Sequence, residues 1–295
     1  MSERALATSG AAADLLSLTK PRLSALVLAT AAGGMWLAPG HLSVVRALLA
    51  LVATAGTIGA ANALNCFIER DSDRFMARTR TRPLPAGRME PQVALWFGAG
   101  LAAVCLPALA LSANLLTGAL GFVAFASYVF VYTPMKARSW AAVLVGAVPG
   151  ALPPLMGWTA VSGGVEPGGL ALFALMFVWQ LPHSLAIALF RQEEYEAAGL
   201  KSLPIERGEA TSRAHILVYL TVLWPVALVP SFLGVAGRLY LVAAFALGAA
   251  LFGLGAWGVA KRLGRPWARQ LFLASLVYLS AIFLVLMVDG GAGRA

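Results

Sequence analysis

Asn62-Ala63-Leu64-Asn65-Cys66-Phe67-Ile68-Glu69-Arg70-Asp71-Ser72-Asp73-Arg74, followed closely by Arg78-Thr79-Arg80-Thr81-Arg82-Pro83, takes an apolar helix straight into a dense cluster of charge. Charged residues make up only 12% of the chain, so the cluster stands apart from an ordinary surface. Asn65, Glu69 and Asp73 recur every four residues. On a helix they stack along one face, about 6 Å per step. Hard oxygen ligands at that spacing suit Mg²⁺, which is commonly held by one or two carboxylates together with substrate phosphates. Five arginines interleave or follow, and their planar forks match phosphate geometry. The stretch therefore predicts a metal–diphosphate site at the mouth of a membrane helix.

Working outward, the rest of the chain supplies the membrane. It is 60% hydrophobic with a mean hydropathy of +0.79 over 295 residues, which makes a bilayer its solvent. Apolar runs near 23–40, 43–64, 93–112, 114–133, 141–161, 168–190, 214–234, 238–260 and 268–288 predict nine transmembrane helices in one domain, 1–295. Residues 1–17 read as a flexible cytoplasmic tail without a cleavable leader. Nine passes would place nineteen of the 22 Lys and Arg on one side, the exceptions being Arg46, Arg238 and Arg294. The positive-inside rule makes that side cytoplasmic, with the N-terminus and the long polar loops. This placement, in short loops between apolar runs, also explains the +9 net charge without a nucleic-acid partner. Cys66 and Cys105 form no CxxC pair and read as free thiols.

Two long polar loops follow the second and sixth runs, and each carries carboxylates, a later base and a Leu-Pro. They predict a weak pseudo-twofold with one acidic site per half facing a shared cavity. Arg78 and Arg82, four apart, can clamp one phosphate; their alternative is anchoring at the membrane surface. Tyr132 and Lys136 can reach the same cavity, the lysine on phosphate and the ring facing a developing cation, or can be interfacial anchors. In Trp179-Gln180-Leu181-Pro182-His183 the Gln and His must face protein or water, where His183 is a packing residue or a ligand.

Taken together these residues resemble the UbiA superfamily of membrane prenyltransferases, and most of all its protohaem IX farnesyltransferase (haem O synthase) branch. The resemblance spans roughly residues 15–210. It rests on Leu18-Thr19-Lys20-Pro21-Arg22, the Asn65 to Asp73 run phased with Arg78 to Arg88, Tyr132-Thr133 with Lys136, Gly150 to Trp158, the Trp179 to His183 run, and Tyr195 to Pro204. Ser184, Glu193-Glu194 and Lys201-Ser202 depart from that branch, which shows an aromatic, an aspartate and Pro-Met at these places.

The resemblance implies an all-α UbiA-like enzyme of a bacterial-type inner membrane, its helices around a central cavity open to cytoplasm and lipid. It implies transfer of the farnesyl group of farnesyl diphosphate to a vinyl group of haem b, with hydration, giving haem O and diphosphate. Two Mg²⁺ ions would bridge the diphosphate, one on Asn65, Glu69 and Asp73 and a second helped by Glu194. Arg78, Arg82 and Lys136, then Arg74 and Lys20, would grip phosphate; Tyr132 would face the carbocation and His183 would orient the haem. Hand-off to a haem A synthase or a terminal oxidase is expected. The rivals are prenylation of an aromatic or quinone precursor and, from another class, an ion-coupled transporter. The second calls for charges near mid-span, whereas every carboxylate here lies at or beyond a helix end.

Overall fold

The computed structural model describes residues 3–292, which form an all-helical bundle; no strand occurs among the described residues. The helices are α1 (Glu3–Leu18), α2 (Pro21–Leu37), α3 (Val44–Ile68), α4 (Pro91–Ser112), α5 (Leu115–Met135, with a π-helical stretch at Ser127–Tyr132), α6 (Ala142–Ser162), α7 (Pro167–Phe190), α8 (Gln192–Ala197), α9 (Leu203–Phe232), α10 (Arg238–Ala260) and α11 (Arg265–Ala292). Eight of them, α3 to α7 and α9 to α11, are long and apolar enough to cross a membrane. All nine predicted runs are helical, but α2 has 17 residues, about 25 Å at the helical rise, shorter than a bilayer core of about 30 Å. Its two ends nevertheless touch both ends of the bundle: Lys20 meets Asn65, and the Trp36 indole N–H donates to Met287 O. Residues 1–17, read as a tail, include most of α1, where Asp14 pairs with Arg88 and Leu18 is buried.

Outward faces carry Val44, Val52, Val104, Leu111, Phe122, Phe232 and Val242, an apolar coat that suits lipid and would be untenable in water. Inside, small residues let backbones approach, as expected where lipid offers no hydrophobic contrast. Gly34 lies against the Pro154 carbonyl and Gly157 against the Ala31 carbonyl, so a side chain at either would collide with main chain. Pro149, Pro153 and Pro154 all sit inside α6, tolerated because the surrounding helices enclose it. Gly208, at φ 82° and ψ 162°, occupies a region open only to glycine and breaks α9 into a short entry turn and the membrane helix proper.

The two ends of the bundle differ in chemistry. All eight ion pairs found among the described residues gather at the end where α3 leaves the bundle. At the opposite end lone polar groups cap main chain: Arg46 donates to the carbonyls of Ser112 and Ala113, and Asp289 accepts from the Tyr240 N–H.

Candidate active site

The sequence predicted one continuous helical face through Asn65, Glu69 and Asp73. The helix in fact ends at Ile68, Glu69 caps it, and Asp73 sits in a 3₁₀ turn, Ser72–Phe75. The four-residue step survives the break, because Glu69 N–H donates to Asn65 O (2.9 Å) and Asp73 N–H to Glu69 O (2.8 Å). Thr79 then fastens the turn by donating its hydroxyl to Asp73 O at 2.8 Å. All three oxygen-bearing side chains line one cavity of about 460 Å³ between α2, α3, α5, α6 and α7.

Each of the three faces a cation. Lys20 Nζ donates to Asn65 Oδ1 at 2.7 Å, Lys136 Nζ lies 2.7 Å from Glu69 Oε1, and Arg82 Nη1 lies 2.6 Å from Asp73 Oδ2. Asn65 is oriented from its other side as well, its amide donating to Thr133 Oγ1 at 3.2 Å. Burial opposes charge on Glu69, but the Lys136 ammonium outweighs it and holds the carboxyl below its usual range. Burial likewise opposes the Lys136 charge, and Tyr132 and Glu69 overcome it, raising the lysine above its ordinary value. Lys20 goes the other way: burial, with Arg82 and Lys136 nearby, pushes it down to about 8. Lys20 also holds a left-handed conformation (φ 51°, ψ 58°) before Pro21, rare for an L residue, at the turn that carries it to Asn65.

Asp73 is only 1% exposed, and its second oxygen, Oδ1, is buried with no hydrogen-bond partner. A buried anionic oxygen left open among cations is costly unless something occupies it. The donor set, two carboxylates and an amide oxygen, is the hard-oxygen type that Mg²⁺ takes. No cluster of three or more His, Cys, Asp and Glu occurs among the described residues, so a metal here leans on Asn65 and on substrate oxygens.

The other predicted residues divide. Arg78 lines the cavity, as does Tyr132, whose ring lies under Lys136 Nζ at 4.5 Å and 5.3 Å from the Tyr128 ring. Arg74 is 60% exposed and leans toward Asp71. Glu194 accepts from Arg191 at 2.8 Å and lines a separate recess with Arg265 and Arg269, while Glu193 points out to Arg265. His183 stacks on Trp179 and tilts against Phe272, its Nδ1 2.7 Å from Ser275 Oγ, and is not part of the cavity wall; Gln180 and Ser184 on the same helix are. Tyr128 lines the cavity without having been named, and Tyr195, Lys201 and Ser202, quoted only as part of a motif and as departures from it, line it too. Tyr128 was findable, four residues before Tyr132 as Tyr132 is before Lys136.

Below the charged mouth the walls turn apolar, through Val27, Ile58, Ala61, Phe125, Pro153 and Met156. From Asn65 to Thr54 along α3 the cavity runs about 16 Å at the helical rise. The model of the UbiA prenyltransferase family matches residues 26–276. The chain belongs to that family. A protoheme IX farnesyltransferase of Myxococcus xanthus is 64% identical over 289 residues, covering 98% of both chains, and one of Anaeromyxobacter sp. is 54% identical over 94% of this chain and 93% of its own. Among solved structures, a digeranylgeranylglyceryl phosphate synthase superposes with a TM-score of 0.81 at 16% identity, covering 95% of this chain and 98% of its own. A UbiA homolog from Archaeoglobus fulgidus bound to DMAPP and Mg²⁺ superposes at 0.68 and 18% identity, over 93% and 99%. These likenesses fit a UbiA prenyltransferase fold in a multi-pass membrane protein.

Proposed function

We propose that this chain is a protohaem IX farnesyltransferase, joining the farnesyl group of farnesyl diphosphate to a vinyl group of haem b and releasing diphosphate. The observation that carries the reading is one cavity holding both halves of an allylic diphosphate's chemistry, oxygens and cations at the mouth and an apolar depth on the scale of a fifteen-carbon chain. The 64% identity with the Myxococcus enzyme supports the choice of acceptor.

The allylic C–O bond breaks with its electron pair leaving on diphosphate. The terminal vinyl carbon bonds to the farnesyl C1, and water takes the cation left beside the porphyrin, losing a proton to give the hydroxyethylfarnesyl product. Asn65, Glu69 and Asp73 would hold Mg²⁺, which when bound supplies positive charge against the leaving diphosphate. Lys20, Arg78, Arg82 and Lys136 grip its oxygens, and preorganised charge of this kind lowers the barrier to ionisation. Tyr132, with Tyr128 beside it, turns a π face toward the allylic cation, and the apolar walls shield that cation from premature water. His183 orients the haem side only indirectly, by fixing α7 against α11 through Ser275.

Nine passes with the N-terminus and charged loops in the cytoplasm, in a bacterial inner membrane, complete the reading, as does release of haem O toward a haem A synthase or terminal oxidase. The test is incubation of membranes carrying the protein with farnesyl diphosphate and haem b, with products identified by mass. Haem O is the expected product; prenylation of an aromatic or quinone precursor instead would overturn the choice of acceptor.

A further inference from the structure

Among the described residues, three cavity cations, Lys20, Arg78 and Lys201, pair with no carboxylate, and of these Lys20 is taken up by the Asn65 amide oxygen. Lys201 is tied into the site by its backbone, whose N–H donates to Lys136 O at 2.8 Å. Next to it Ser202 lines the same cavity, is 7% exposed, and its hydroxyl has no hydrogen-bond partner. Ser202 stands at the N-cap position of α9, where a serine oxygen ordinarily accepts from the first turn; here it makes no such bond. A buried hydroxyl that forgoes its capping bond carries an unmet desolvation cost that a ligand oxygen would repay.

We infer that Lys201 and Ser202 form a second oxyanion subsite in the cavity, beside Lys136, which takes a charged oxygen of a substrate. The ammonium supplies charge and the hydroxyl a directed donor, the combination that phosphate or carboxylate oxygens call for. Both substrates of the proposed reaction carry such oxygens, the diphosphate of one and the propionates of the other, and the inference rests on that reading. Lys20, Lys136 and Arg82 already face Asn65, Glu69 and Asp73. Lys201 and Ser202 are uncommitted.

The test measures KM and kcat separately for farnesyl diphosphate and for haem b in Lys201→Met, Ser202→Ala and Lys201→Arg proteins purified in detergent. One KM should rise roughly tenfold in the first two, as loss of a charge-assisted hydrogen bond predicts, with kcat near wild type and with Lys201→Arg largely restoring it. Parallel weakening of inhibition by inorganic diphosphate assigns the subsite to the prenyl donor. Disappearance of the deficit with haem b dimethyl ester assigns it to the acceptor's carboxylates. Both KM values within twofold of wild type would overturn the subsite. A wild-type protein that makes no haem O would sink the functional reading instead, and calorimetry with inorganic diphosphate and with haem b on wild type and Lys201→Met then decides: equal binding of both ligands by the two proteins overturns the subsite.

Discussion

The loop of residues 69–90 and the loop of residues 191–202 look alike on paper and behave differently in space. Both are acidic, both carry later bases, and both follow long apolar helices at the polar end of the bundle. The first turns two of its acids inward, Glu69 and Asp73 lining the cavity, each against a cation, while Asp71 stays exposed. The second turns them away, Glu193 at 76% side-chain exposure against Arg265 and Glu194 against Arg191, and sends in Tyr195, Lys201 and Ser202. The cause is local. Asp73 follows the end of α3 by a turn that keeps the helical hydrogen-bond step, so it stays in phase with Asn65. Beyond α7 the chain instead starts a new helix, α8, whose first turn puts Glu193 and Glu194 beside arginines.

The two arginine–carboxylate pairs make the hardest contrast. Arg82 neutralises a fully buried Asp73, so Arg82→Ala should cost about 3–5 kcal/mol, the usual consequence of stranding a buried charge. Arg191→Ala removes a partner from a half-buried pair, its side chains 31% and 30% exposed, and should cost less, about 1 kcal/mol. Thermal unfolding in detergent compares them, and equal losses would mean that the two loops are energetically alike. Next in size is catalysis. Glu69→Gln and Asp73→Asn each keep shape and remove charge, and each should lower kcat/KM by about 100-fold or more if the charge acts on the leaving group. Product assays by mass read this directly; a loss of only a few-fold would strip the first loop of its catalytic role.

Reading the sequence reached the helices and the first site because both are written in short-range patterns. Nine apolar runs became helices, and a period of four placed Asn65, Glu69 and Asp73 on one wall even though the helix stops at Ile68. The second loop was illegible for a physical reason: Glu193 takes its partner, Arg265, from another helix, and although Arg191 and Glu194 stand at a pairing i,i+3 spacing, nothing local encodes that the pair turns away from the cavity. His183 teaches the same lesson. A histidine in an apolar helix must be satisfied, but only the packing of α11 shows Ser275 and Phe272 meeting it. Lys201 and Ser202 were seen only as departures from a pattern, because no local signal tells a solvated lysine from one beside a cavity.

A smaller effect distinguishes the first wall by pH. Lys20 is held down to about 8, so its charge is present below that value and is lost as pH rises through it. If that charge grips diphosphate, KM for farnesyl diphosphate should climb several-fold between about pH 7 and 9, where the charged share falls from roughly nine-tenths to one-tenth. Lys20→Arg stays charged throughout and should flatten the climb. An unchanged pH profile in that variant would free Lys20 from any role beyond holding Asn65.

The smallest expected change is the one that decides the comparison. Glu194 is the residue of the second loop that the sequence pattern nominates for a metal, and its Oε2 is buried without a partner while Oε1 holds Arg191. If the recess it shares with Arg265 and Arg269 is separate from the chemistry, Glu194→Gln removes a carboxylate that touches neither diphosphate nor prenyl chain. Turnover should then stay within about twofold of wild type, and the Mg²⁺ concentration for half-maximal rate should not move, since only groups stronger in the transition state change kcat. A 100-fold fall with a raised Mg²⁺ requirement would instead show Glu194 turning inward once substrate binds. The two loops would then be functional equals, as their sequences first implied.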